Sequence, residues 1–244
     1  MFWRKTRPAP VPAIDESGAL DYLGALALAH RILTPANYCE IGCRFGYSLT
    51  LASAPALGID PEFEIKAPLT APTRLFRETS DDFFATRDLP AILGGPVDFA
   101  FIDGLHRVEF ALRDFMNLER ASHPGGVIAI DDLLPQDMAW ATRERKTVHW
   151  TGDVYRLIPI LQTWRPDLCI RIYDVAVKGF ALISGLDPAS TILTENYTGI
   201  EADIVAGRWI LPSVEAIRAT LAPSPIADLE PDLHALAASR PKRF

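Results

Sequence analysis

Short unbroken apolar runs alternate along this chain with segments whose apolar residues recur every three or four positions. That alternation predicts parallel strands covered by helices on both faces. Residues 37–42, 56–60, 73–79, 97–103 and 127–130 read as five buried strands. Leu20, Leu23, Ala27 and Ile32 share one helical face, with Asp15 or Ser17 placed to cap the start and Pro35 to stop it. A second helix is expected at about 47–54, and a short one over 80–87 is started by Ser80 or Asp81. Residues 61–72 form a Pro-rich loop, and Gly94-Gly95-Pro96 and Pro124-Gly125-Gly126 mark turns. Val108, Ala111, Leu112, Phe115 and Leu118 make an apolar helical stripe opposite a charged face.

Further along, residues 133–152 read as a loop or helical lid, and 153–164 as a helix interrupted by Pro159. Two apolar runs, 168–177 and 180–184, are separated only by Lys178-Gly179 and predict a tight antiparallel hairpin. The fold class is therefore α/β: a doubly wound, mostly parallel seven-stranded sheet ending in an antiparallel hairpin. Residues 1–13 are expected to be a flexible arm, 14–222 a single domain and 223–244 a loosely packed tail.

Composition narrows the function. A net charge of −7 with dispersed Arg and Lys argues against nucleic acid or an anionic membrane as partner. Three cysteines without paired spacing do not make a disulfide framework or a zinc site. The basic start lacks an apolar core and is not a signal peptide, and residues 20–33 are too short and charged to span a bilayer. A cytoplasmic protein with no membrane span is expected, and Phe2 and Trp3 suggest a homodimer contact.

Ligands in such sheets bind beyond the carboxyl ends of the strands. Those ends deliver Glu40 to Gly46, then Asp60, Ser80-Asp81, Asp103 and Asp131-Asp132. Gly42 and Gly46 allow a sharp turn close to a ligand. The spacing is E-x-G-x-x-x-G, and Glu40 stands where a dinucleotide fingerprint needs its first glycine. A carboxylate there repels a pyrophosphate and suits a ligand with positive charge, such as a sulfonium carrying an α-amino group. Asp60 follows Glu40 by twenty residues, the interval for an acid that accepts ribose hydroxyls. Ser80 and Asp81 are placed to meet an adenine edge. Each of these acids also suits a helix N-cap, so their recurrence at successive strand ends carries the reading.

The segment from Glu40 to Gly46, with Gly58-Ile59-Asp60, resembles the first two motifs of class I S-adenosylmethionine-dependent methyltransferases. Phe101-Ile102-Asp103-Gly104-Leu105-His106, with Pro124 to Asp132, is similar to the branch of macrocin-type sugar O-methyltransferases and more distantly to the catechol type. The likeness covers roughly residues 35–185. It implies a Rossmann-like methyltransferase fold with S-adenosylmethionine on Glu40, Gly42, Gly46, Asp60, Ser80, Asp81 and Asp103. It also implies a divalent cation such as Mg²⁺ on Asp103, Asp131 and Asp132, near which an acceptor hydroxyl, of a sugar or a phenol, is methylated. Oxygen ligands suit a hard ion, and three converging carboxylates repel one another without a cation or proton.

One departure concerns the base. Some members of that branch carry an aspartate two residues after the first metal ligand, where this chain has Leu105. His106 is the nearest replacement as general base, and His149 in the lid a more distant one. Trp140, Trp150 and Tyr155 are candidate walls of an acceptor pocket, although each also suits core packing. Two alternatives stay open: a catalytically silent protein that binds the donor, and a nucleotide-dependent oxidoreductase.

Overall fold

The computed structural model describes residues 20–240. Seven strands, β1 (Tyr38–Ile41), β2 (Ala56–Ile59), β3 (Thr73–Phe76), β4 (Val97–Ile102), β5 (Ser122–Asp131), β6 (Cys169–Tyr173) and β7 (Phe180–Ser184), lie in the order β3-β2-β1-β4-β5-β7-β6. The first five pair in parallel, and β7 runs antiparallel to both β5 and β6. This is the expected doubly wound sheet. Its order reverses at β1, which pairs with β2 on one side and β4 on the other, so a crevice opens beyond those carboxyl ends.

Both faces of the sheet are apolar, because neighbouring strand residues alternate between two cores. Cys39, Ala100, Ile102, Ile128 and Ile130 point into one of them. There they meet α4 (Val108–Ala121), α5 (Leu157–Trp164) and α6 (Ile192–Val205). Tyr38, Phe99, Phe101, Val127 and Ala129 point to the opposite face, with α1 (Tyr22–Leu33) and α8 (Leu229–Ser239). Three shorter helices, α2 (Ser80–Thr86), α3 (Leu89–Leu93) and α7 (Val214–Leu221), complete the layers.

Several elements differ from their sequence reading. Asp21 caps α1 by accepting the Gly24 N–H at 2.8 Å, while Asp15 and Ser17, like the arm with Phe2 and Trp3, lie outside the described residues. The expected helix over 47–54 is a single 3₁₀ turn, Ser48–Leu51, because Pro55 leaves too few residues to propagate a helix. α2 is capped one residue early, by the Thr79 hydroxyl accepting the Asp82 N–H. The Pro124-Gly125-Gly126 turn is absorbed as an irregularity inside β5, where register shifts between Val97 and Phe99. Pro159 falls in the first turn of α5, where no helical N–H is lost, so the helix continues through it.

The hairpin is not tight. Residues 174–179 separate β6 from β7, held by Asp174 N–H to the Ser224 carbonyl and Ala176 N–H to the Leu20 carbonyl. The stretch 223–240 is not a loose tail either. α8 lies against α1 with Leu229 and Leu233 fully buried, and Arg240 donates to the Gly125, Leu33 and Asp98 carbonyls.

His30 on α1 is buried edge-on against Tyr38 and Phe99, and neither ring nitrogen has a hydrogen-bond partner among the described residues. Burial lowers its pKa to about 4. The folded state therefore resists the proton that the unfolded chain takes up near pH 6.5. Stability from this residue is complete above pH 6.5 and falls as the pH drops toward 4, by about 3 kcal/mol. Urea unfolding at a series of pH values should show His30→Leu losing that much less than the wild type between pH 6.5 and 4. Equal losses would clear His30 as the source.

Candidate functional site

β1 ends at Ile41, and the chain turns through Gly42 (φ +91°), Arg44 (φ 39°) and Gly46 (φ +76°). A Cβ on Gly42 would sit 1.9 Å from the Asp103 carbonyl oxygen. Glycine is required there because the turn after β1 is pressed against the end of β4. A Cβ on Gly46 would meet the Ile65 side chain, since the 62–66 segment folds over the turn. Glu64 and Lys66 donate their N–H groups to the Arg44 and Phe45 carbonyls. Asp60 braces the same turn, accepting the Arg44 and Glu62 N–H groups at 2.7 Å each. Each of its oxygens keeps a lone pair for a further donor.

Glu40 is fully buried on β1 and accepts hydrogen bonds from the Tyr38 hydroxyl at 2.8 Å and the Ser48 hydroxyl at 2.5 Å. Burial raises its pKa to about 8; the two hydroxyls oppose the rise, and Asp103 and Asp60 add to it. Such a carboxyl ionises readily when a cation approaches.

Beyond β4 and β5 the acids gather. Asp103 follows Ile102, Asp131 ends β5, and Asp132 sits at φ +66°. His106, at φ 58°, joins two of them: Nε2 lies 3.2 Å from Asp103 Oδ1 and Nδ1 lies 3.0 Å from Asp132 Oδ2. Lys178 places its Nζ 2.9 Å from Asp132 Oδ1. Burial disfavours charge on His106, but Asp132 and Asp103 outweigh it and raise its pKa to about 10. The imidazole therefore holds its proton at neutral pH. Burial and the neighbouring Asp132 and Asp103 push Asp131 well above the carboxylate range. Asp103 is also raised, chiefly by burial, while His106 pulls it down.

The lid reaches this cluster without forming a helix. Trp150 stacks on the His106 ring at 5.1 Å, and its carbonyl lies 3.0 Å from Nδ1. Gly152 is wedged so closely on the His106 carbonyl that a Cβ would come within 1.6 Å. Asp153 accepts the first N–H of α4, from Val108, and the guanidiniums of Arg143 and Arg156. Arg143, which also donates to Glu109, thus ties the lid to α4. Tyr155 belongs to the core, and His149 stays on the exposed side against Trp140.

Ser80 and Asp81 are both engaged by α4. Arg113 of α4 clamps Asp81 through two hydrogen bonds of 2.8 and 2.7 Å, and Ser80 hydrogen-bonds Asp114. Asp114 itself is buried on the apolar stripe of α4, and burial raises its pKa to about 7. Sequence reasoning missed it, although an acid three residues after Ala111 on that stripe was a visible signal. It also missed Asp153, Lys178 and Tyr22, the last stacked on Phe101 and felt electrostatically by Asp103, Asp131 and Glu40.

The implied cation seat can be tested against this geometry. Donor atoms of Asp103, His106 and Asp132 lie within 4.8 Å of one another, and Asp131 contributes none of them. His106 meets the two acids through nitrogens on opposite edges of its ring, and one ion can be bound by only one of those edges. An ion on Asp132 Oδ1 would also stand roughly 4 Å from the Lys178 ammonium, where each pair of like unit charges costs about 4 kcal/mol. The arrangement does not fit a seat of three carboxylates.

A methyltransferase-domain family model matches residues 39–133, from β1 through the acids after β5. Among solved structures, the O-methyltransferase TomG from Streptomyces achromogenes, involved in tomaymycin synthesis and bound to SAM, is 19% identical. That alignment covers 69% of this chain and 82% of TomG, with a TM-score of 0.51. A cofactor-bound protein from MTB is 15% identical over 72% of this chain and 85% of its own, with a TM-score of 0.51. An SAH-bound methyltransferase from Podospora anserina is 15% identical over 68% and 78%, again at 0.51. At these identities the likeness is one of fold: the seven-stranded sheet is that of these methyltransferases. No curated protein sequence matches the chain at a significant level. Among the described residues, no helix is long and apolar enough to cross a membrane.

Proposed function

We propose that this protein transfers a methyl group from S-adenosylmethionine to an oxygen of a small hydroxylated acceptor. One observation carries the reading: the turn after β1 touches the backbone of Asp103, so a donor lying on that turn has its sulfonium end beside the acid cluster. Asp60 takes the ribose hydroxyls, and Glu40 meets the charged methionine end through Tyr38 and Ser48. The match of residues 39–133 to a methyltransferase domain supports the same assignment.

The chemistry asks little of the protein beyond alignment, which supplies about 7–11 kcal/mol in favourable cases. The acceptor oxygen attacks the methyl carbon in line as the carbon–sulfur bond breaks, and that bond's electron pair stays on sulfur. The hydroxyl proton passes to the Asp103 carboxylate, whose raised pKa makes it a stronger base than an exposed aspartate. Protonated His106 holds Asp103 in place.

Calorimetric titration should show uptake of S-adenosylhomocysteine and none of NADH. Asp60→Ala should weaken that uptake by about 1.5–3 kcal/mol, roughly ten- to a hundredfold, the worth of hydrogen bonds to a charged group. A thermal melt run beside it guards against loss of the fold. Uptake of NADH alone overturns the reading, as does uptake of the homocysteine without methyl transfer to any of a panel of catechols and sugars.

A further inference from the structure

Lys178 was read as half of a two-residue turn, yet it is the residue that the loop between β6 and β7 presents to the acids. The Leu134 N–H donates to the Lys178 carbonyl, and the Gln136 side chain donates to the Val177 carbonyl. Gly179, at φ +78°, sits so tightly on Leu134 that a Cβ would come within 2.5 Å of it. These contacts pin the loop to the segment leaving β5 and aim the side chain at Asp132. Both oxygens of that buried carboxylate are then met by cations, Oδ1 by Lys178 and Oδ2 by His106.

We propose that the Lys178 ammonium supplies the fixed positive charge of the acceptor site, so that methyl transfer runs without a divalent cation. The inference rests on the function proposed above and assigns the charge that steadies the acceptor oxygen. An ammonium has three donors, and the ion pair with Asp132 takes at most one of them. The side chain is 24% exposed, which leaves the ammonium room for a second partner beside Asp132; in this proposal that partner is the acceptor oxygen as its proton leaves for Asp103. Lysine provides a compact, strongly hydrated point charge, the side-chain counterpart of a hard ion.

The test is titration of chelator-treated full-length protein with MnCl₂ and, separately, with S-adenosylhomocysteine. Wild type should show no saturable Mn²⁺ uptake, and Lys178→Met, which frees Asp132 of its ammonium, should saturate at concentrations at least about tenfold below the highest at which the wild type still shows none. Lys178→Arg should behave like the wild type. Saturable Mn²⁺ uptake by the wild type overturns the proposal, and so does the absence of any gain in Lys178→Met. If Lys178→Met does not fold, the wild-type titration decides alone. Donor uptake should be unchanged in every variant, which separates failure of this inference from failure of the proposed function.

Discussion

Gly42→Ala should cost the protein its donor uptake and much of its stability together. An L-residue at φ +91° carries about 1–3 kcal/mol of backbone strain. The larger part comes from the contact: a Cβ 1.9 Å from the Asp103 carbonyl oxygen forces β1 and β4 apart at their ends. The sum, about 3–5 kcal/mol, lies in the range reserved for substitutions with a definite steric cause. For a chain of this size it lowers the melting temperature by roughly 10 °C. Gly94→Ala is the matched control, because Gly94 also has positive φ (+82°) but nothing lies within 4 Å of the added Cβ. It should lose only the backbone part, about 1 kcal/mol, and leave titration with S-adenosylhomocysteine unchanged. If the two variants melt alike, the turn and Asp103 are not in rigid contact, and the argument linking donor to acid cluster loses its base.

That contact was invisible in the sequence, while the elements it joins were not. The run 97–103 ends in Asp103 and the run 127–130 leads into Asp131-Asp132, so the sheet, its two apolar faces and the row of acids follow from local pattern. Local pattern failed where a distant partner decides. Lys178-Gly179 has the composition of a tight turn, but hydrogen bonds to the Leu20 and Ser224 carbonyls and from the Leu134 N–H hold the 174–179 loop open. Asp153 looked like the start of its own helix, yet its carboxylate serves the first N–H of α4, 45 residues earlier. Leu229 and Leu233 sit among prolines and alanines that suggested a loose tail, and only the packing of α1 shows that their face is covered. Asp81 was read at the end of the third strand, but it lies in the first turn of α2, and Arg113, 32 residues away, engages both of its oxygens. Strand ends are set by neighbours in sequence; the pairing of charges is set by the fold.

The pairing of His106 with two aspartates leads to a test of where the acceptor proton goes. Asp103→Asn removes the only carboxylate bonded to His106 Nε2 among the described residues, and kcat should fall by about 10²–10⁴-fold, the usual worth of a positioned base. The pH profile separates this from a histidine mechanism. With its pKa raised to about 10, His106 stays protonated from pH 7 to 9. A neutral imidazole acting as base would therefore make kcat climb tenfold per pH unit across that range and level off only near pH 10. A carboxylate base gives a rise that ends once Asp103 has lost its proton, followed by a plateau. His106→Gln should keep a plateau, at a lower rate, because what it loses is the charge that orients Asp103. A tenfold-per-unit climb in the wild type that vanishes in His106→Gln would move the base from Asp103 to His106. The same geometry would then have to release the imidazole from Asp132 before each turnover, and Lys178 alone would remain to balance that buried carboxylate.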